Sequence, residues 1–312
     1  MFSFVSWLAL AVIAAAFAVA WSRRFLAAGA LAVANLIIYV LTDFGPHVQV
    51  GNRLVPVIHT ELALWAGNLH DPNALGALQL VTSMFVHADF FHILGNLIIL
   101  LAFALPFEER IGHRPFLLLY VASGLVGAMA QVGWFWGEPM LLMGASGAVF
   151  GVIGAFAAAY PRLVVPLPLP LLFIMIFVRM RVIVGAAIFG GLQLVYLAFL
   201  SPFDNTAYMA HIGGLAAGLV LSFAYVKARG VPEERQQRLV EVPVTSLEPF
   251  APDAGTRQAL AQMDKNRDEP AIFQAWWERF WAGARDPETG QRVRPAGPGK
   301  IVREDGTVLK VL

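Results

Sequence analysis

The sequence predicts an all-α polytopic membrane protein followed by a small α+β tail. Three observations carry this. Of 312 residues, 58% are hydrophobic and 14% charged, whereas soluble domains carry about 25% charged residues. Mean hydropathy is +0.66. Charge is also unevenly placed: nine Lys/Arg and eight Asp/Glu lie up to Ala228, and thirteen of each beyond it. The break near residue 229 separates a membrane domain from a soluble tail.

A spanning helix needs about 20 mainly apolar residues. Seven runs qualify, at roughly 3–21, 25–42, 89–107, 115–135, 145–160, 182–200 and 207–226. Within the first, Ala18-Val19-Ala20 resembles a signal-peptide cleavage site, but no basic stretch precedes the apolar run. A retained helix is therefore expected. Positive residues orient the set. Arg23, Arg24, Arg110, Arg114, Arg162, Arg179, Arg181, Lys227 and Arg229 fall in alternate connections, while the others, near 43–84, 136–143 and 201–206, hold only Arg53. The first group is expected in the cytoplasm, with the tail, which puts the N-terminus outside. Leu163–Val178 is apolar but carries Pro166, Pro168 and Pro170. It reads as an interfacial connection on the cytoplasmic side.

Several chemistries are excluded. There are no cysteines, so disulfides, thiol catalysis and cysteine-ligated metals drop out. A net charge of +1 gives no nucleic-acid footprint. No His-Glu-x-x-His motif is present, and His47, His59 and His70 are scattered in one loop. No metal or other cofactor is expected.

Two stretches stand out against the apolar background, Gly144-Ala145-Ser146-Gly147 and Ala210-His211-Ile212-Gly213-Gly214. Ionisable groups within membrane helices are functional candidates. A serine hydroxyl becomes a nucleophile when a neighbouring base takes its proton, and a histidine, titrating near neutrality, is the natural base. The two helices would have to pack closely. Small residues permit this: Gly147, Gly151, Gly154 and Ala158 make one stripe, and Ala210, Gly214, Ala217 and Gly218 another. Such stripes are common in membrane helices, so alone they show little. His92 and Asn96, spaced i, i+4, face the same way. Both can donate to a developing oxyanion, as can the backbone N–H of Ser146. Interhelical adhesion is the plainer reading of that pair, and His87 reads as structural. By the topology above, His92, Asn96, Ser146 and His211 all lie near outer helix ends. A nucleophile-elbow hydrolase is excluded, because position 148 is Ala and no strand precedes Ser146.

Taken together, these motifs resemble the rhomboid family of intramembrane serine proteases. The matching segments are His87-Ala-Asp-Phe-Phe-His92-Ile-Leu-Gly-Asn96, Glu108-Glu109-Arg110, Gly144-Ala-Ser146-Gly147 and Ala210-His211-Ile-Gly-Gly214. They occur in the family's order over about residues 25–228. The resemblance implies a six-helix rhomboid-like core (25–228) with one extra N-terminal helix (1–24). A linker (229–255) and a cytoplasmic module (256–312) follow. It implies a Ser146–His211 dyad without an acidic third member; Asp204 reads as an ordinary loop residue. It further implies that His92 and Asn96 complete an oxyanion hole, that His87 supports the first outer loop, and that Glu108 and Arg110 lock the far end of their helix. Phe150 stands where some relatives have a tyrosine, and it can still stack on His211. Gly144, Gly147 and Gly214 belong to the matching motifs. The implied substrates are single-pass transmembrane proteins, cut near the outer face after a small residue. The implied home is the lipid bilayer of a bacterial cell membrane. The alternative is an inactive rhomboid-like protein that binds membrane clients; such a protein would usually lack Ser146 or His211.

In the tail, Thr256–Ala282 has helical character, with Trp276, Trp277, Phe280 and Trp281 near its end. Ile301–Val311 reads as a β-hairpin turning at Asp305-Gly306. The tryptophans serve either a small folded module or a contact with membrane or partner; no tail partner follows from the sequence.

Overall fold

The computed structural model describes residues 2–22, 26–69, 75–136, 140–171, 174–199, 206–229, 244–266, 270–297 and 300–310. Arg23, Arg24, His70, Asp204 and most of the linker expected over 229–255 lie outside the described residues. The chain divides into two units, Met1–Arg229 and Gly230–Leu312.

In the first unit all seven expected runs form helices: α1 (Phe4–Trp21), α2 (Ala27–Asp43), α5 (Phe90–Ile111), α6 (His113–Trp134), α7 (Ser146–Ala159), α8 (Val182–Phe199) and α9 (Tyr208–Arg229). Four of them, α1, α5, α6 and α8, are long and apolar enough to cross a membrane unaided. The outside of the unit is apolar: Leu118, Leu194, Val220 and Phe223 are each more than half exposed. That distribution suits lipid, not water. The protein is an integral membrane protein.

Buried polar contacts fix the helix ends. Glu108, fully buried near the end of α5, accepts from the backbone N–H groups of Ala27 and Ala28 at 2.5 and 2.8 Å. It thereby caps the start of α2, where N–H groups have no intrahelical partner. His113 meets the same carboxylate at 2.5 Å. Arg110 donates to the carbonyl of Pro106 and lies 5.8 Å from the Tyr160 ring. Gly112, at φ +84°, makes the sharp turn from α5 into α6. At the opposite end, the Glu61 carboxylate accepts from the backbone and hydroxyl of Ser3, the N-cap of α1. Glu61 belongs to the α2–α5 connection, and so does His59, which reaches the carbonyl of His87. The start of α1 therefore shares an end of the bundle with His87.

The α2–α5 connection is more structured than a loop. It holds the hairpin β1 (His47–Val50) and β2 (Arg53–Pro56), then α3 (Val57–Leu62), β3 (Leu64–Trp65) and α4 (Gly76–Thr82). β3 pairs with β4 (Leu141–Leu142), directly before the Gly144–Gly147 motif.

Leu163–Val178 also differs from a plain connection. It lies in an antiparallel hairpin, β5 (Val164–Leu171) with β6 (Ile174–Arg181), between two helices of the unit. The cause is Pro166, Pro168 and Pro170. A single proline costs a helix one hydrogen bond and a clash, as Pro106 does in α5, but three at alternate positions break it, and none can donate to a ladder. At every second position the prolines strip N–H groups from one edge of β5 only, leaving the other edge to pair. Val164 stands opposite Arg181, so the chain returns to the end it left and α8 keeps its expected direction.

The second unit packs a 3₁₀ segment (Val244–Phe250) and helices α10 (Ala254–Lys265) and α11 (Pro270–Gly283) with a sheet of β7 (Val293–Gly297), β8 (Lys300–Arg303) and β9 (Val308–Lys310). The helical stretch is thus two helices. The first starts at a capping box in which Asp253 accepts from the Thr256 N–H at 2.8 Å. The β8–β9 turn carries Gly306 at φ +87°. Trp276, Trp277 and Trp281 pack against the unit's own core of Leu247, Leu260, Phe273, Phe280 and Ile301. They are module-forming residues.

Candidate active site

The site forms where α7 and α9 touch. Glycine lets their backbones meet. A Cβ on Gly214 would lie 2.0 Å from the carbonyl oxygen of Gly147, and one on Gly218 would lie 1.9 Å from that of Gly151. Ser146 is the first residue of α7 and His211 lies in the first turn of α9. The contact brings His211 Nε2 to 2.7 Å from Ser146 Oγ. Phe150, one turn after Ser146, stacks on the imidazole at 4.6 Å with a 9° interplanar angle. His211 is buried and Ser146 half-buried.

Nothing on the side chain of Ala145 caps α7. The start of that helix therefore presents backbone N–H groups and the positive end of its dipole beside Ser146. Gly144 precedes it at φ +120°, a conformation suited to glycine. A Cβ there would also lie 2.7 Å from His92 Nε2 and 3.7 Å from Ser146 Oγ. His92 thus borders the same small space as the serine. Its backbone is fixed by Asp89, the N-cap of α5, which accepts from the His92 N–H at 2.9 Å. Asn96 is buried one turn on and donates from Nδ2 to the His92 carbonyl at 3.0 Å. His87 is buried, its ring 5.1 Å from that of His92 and its Nε2 3.4 Å from the backbone nitrogen of Ala145. It joins the long connection to the approach to Ser146. Glu108 and Arg110 lie away from this cluster, at the other end of α5.

Two residues at the site escaped the sequence reading. Gln193, on α8, places its Oε1 2.7 Å from His211 Nδ1. Gln131, on α6, accepts from the Ala210 backbone N–H at 3.1 Å, holding the start of α9. The signal for Gln193 was present, since an amide in the apolar run Val182–Phe199 needs a partner.

Comparison with known proteins bears on the family. Residues 75–228 match the Rhomboid domain. YdcA of Bacillus subtilis, named for that family, is 32% identical over 155 residues, covering 48% of this chain and 68% of YdcA. The chain belongs to the rhomboid family. Other rhomboid relatives are matched over smaller shares of their own length. Rhomboid-like protease 3 of Toxoplasma gondii is 40% identical over 83 residues, 26% of this chain and 30% of its own length. Rhomboid protease GluP of Bacillus subtilis is 30% identical over 155 residues, 50% of this chain and 26% of GluP. The rhomboid match takes in α4 through α9 and so holds every residue of the site.

Proposed function

We propose that this rhomboid is an active intramembrane serine endopeptidase working through Ser146 and His211. The observation that carries the reading is the 2.7 Å approach of His211 Nε2 to Ser146 Oγ, between groups that are costly in an apolar setting. Ser146 attacks the scissile carbonyl while His211 takes its proton. The oxyanion forms against the N–H groups at the start of α7, with His92 and Asn96 as further donors. His211 then protonates the leaving amine. Water enters and releases the acyl group from Ser146, again with His211 as base.

Access for water follows from helix length. The 14 residues of α7 span about 21 Å at 1.5 Å per residue, short of a hydrocarbon core about 30 Å thick. A serine at the first residue is recessed. The cleft beside Ser146 is lined by Met84, Gly124, Ala128, Leu142 and Ala210, which suits a small side chain before the cut. The proposed substrates are single-pass membrane proteins whose backbone can unwind there. The distribution of arginines supports the site facing the outside of a bacterial cell membrane with the tail in the cytoplasm.

The test is cleavage of a single-pass transmembrane reporter by the purified protein in detergent or liposomes. Wild type should cut, and Ser146→Ala and His211→Ala should each abolish cutting, because the two act as one unit. Equal cleavage by Ser146→Ala would refute the reading. A wild-type protein that binds the reporter without cutting it would favour client binding.

A further inference from the structure

We propose that Gln193 is the positioning residue of the base: its amide oxygen keeps the His211 proton on Nδ1 and turns a bare Nε2 toward Ser146. The proposal rests on the reading of Ser146 as nucleophile and His211 as base.

The geometry constrains the tautomer. A neutral imidazole has one donor nitrogen and one acceptor nitrogen. For Ser146 to be activated, its O–H must donate to Nε2, so the proton must be on Nδ1. An acceptor must then face Nδ1, and Gln193 Oε1 stands there at 2.7 Å. If the amide were turned the other way, its NH₂ would demand an accepting Nδ1. Nε2 would then carry the proton and donate to Ser146, and no base would be available. The orientation of one amide therefore decides whether the pair is competent.

Burial makes the contact consequential. Gln193 is 8% exposed and His211 9%. An amide buried without partners is costly, and each of the two groups satisfies the other. Among the described residues of α8, only Val182, Gly185, Ala186 and Gln193 are buried. Gln193 is thus the buried contact of the second half of that helix, and it falls on the base. A neutral acceptor does here the orienting task that a buried carboxylate performs in other serine hydrolases. It does so without placing a charge in an apolar helix.

The experiment combines tautomer and kinetics on the full-length protein. Histidine-selective ¹⁵N NMR reports which ring nitrogen carries the proton, with the His211 signals assigned by their loss in His211→Gln. Wild type should show the Nδ1–H form. Gln193→Met, which keeps length but replaces the amide oxygen with a weakly accepting thioether, should lose the uniform Nδ1–H signal. It should also lower kcat on the reporter about 10- to 100-fold with little change in KM. Gln193→Glu restores an oxygen acceptor and should recover the Nδ1–H form and most of the rate. The proposal is overturned if wild type carries the proton on Nε2. It is equally overturned if Gln193→Met keeps both tautomer and rate, or if Met and Glu variants fall together. Should wild type show no cleavage at all, the protease reading fails, and the spectra still decide what Gln193 does.

Discussion

Ser146 and His211 stand 65 positions apart in the chain and 2.7 Å apart in space. Each is legible because it is chemically out of place in an apolar run. Phe150 is legible for another reason: one turn after Ser146, it stands where the resemblance puts a ring on the base, and it stacks on His211. Gln193 stands out as an amide in an apolar run, but its partner comes from helix packing, and nothing local says which residue it meets. Asn96 calls for a test of its own. In the resting geometry its amide is engaged with the His92 carbonyl, which leaves a second amide hydrogen to meet an oxyanion. Asn96→Ala should lower kcat by roughly 10²-fold, the usual cost of losing one oxyanion donor, while Ser146 still reacts with a fluorophosphonate. A wild-type rate in that variant would make Asn96 a packing residue. His92→Ala should cost at least as much, since His92 also packs on Gly144.

At the scale of elements, the packing of α7 on α9 depends on glycines whose added methyl groups would run into the opposing backbone. Gly218→Ala should force the helices apart and lower stability by about 1–3 kcal/mol, the usual range for overpacking. Gly191→Ala in α8 meets nothing within 4 Å and should be neutral or slightly stabilising. Thermal unfolding in detergent compares the two, and equal melting temperatures would contradict the close-packed seam. The stripes were visible in the sequence, but their pairing followed only from the demand that Ser146 meet His211, because stripe-bearing helices have many possible partners. The β5–β6 hairpin was legible only as a place where a helix fails. Prolines announce that failure locally, whereas strand pairing requires residues 164 and 181 to meet.

The tail offers a pH test at the same scale. Asp286 is buried. Burial pushes its carboxyl up, but hydrogen bonds from the Glu288 N–H and Thr289, together with Arg303, outweigh this and hold it below the usual range. A depressed carboxyl contributes stability above its unfolded pKa and loses it as pH falls through the folded value. Asp286→Asn should therefore destabilise residues 244–310 at pH 7, and the difference from wild type should shrink below about pH 4. Hydrogen exchange in β7 and β8 measures it; a difference independent of pH would mean that shape, not charge, matters at this position.

For the whole molecule, contacts alone place the ends. Glu61 and His59 tie the start of α1 and His87 to one end of the bundle, and Glu108 and Arg110 mark the other. Which end faces the cell exterior is an inference from arginine placement, and a chain without cysteine makes it clean to test. A single cysteine at Arg53 should react with an impermeant maleimide on intact cells, and one at Gly112 only after the membrane is opened. The reverse pattern would invert the protein and place the site on the cytoplasmic side. The central claim is chemical, and mapping the adduct of a fluorophosphonate on the purified protein tests it most directly. Peptide mass spectrometry should find the adduct on Ser146 in wild type, none in Ser146→Ala, and very little in His211→Ala. Labelling at another residue, or undiminished labelling of Ser146 without His211, would contradict it.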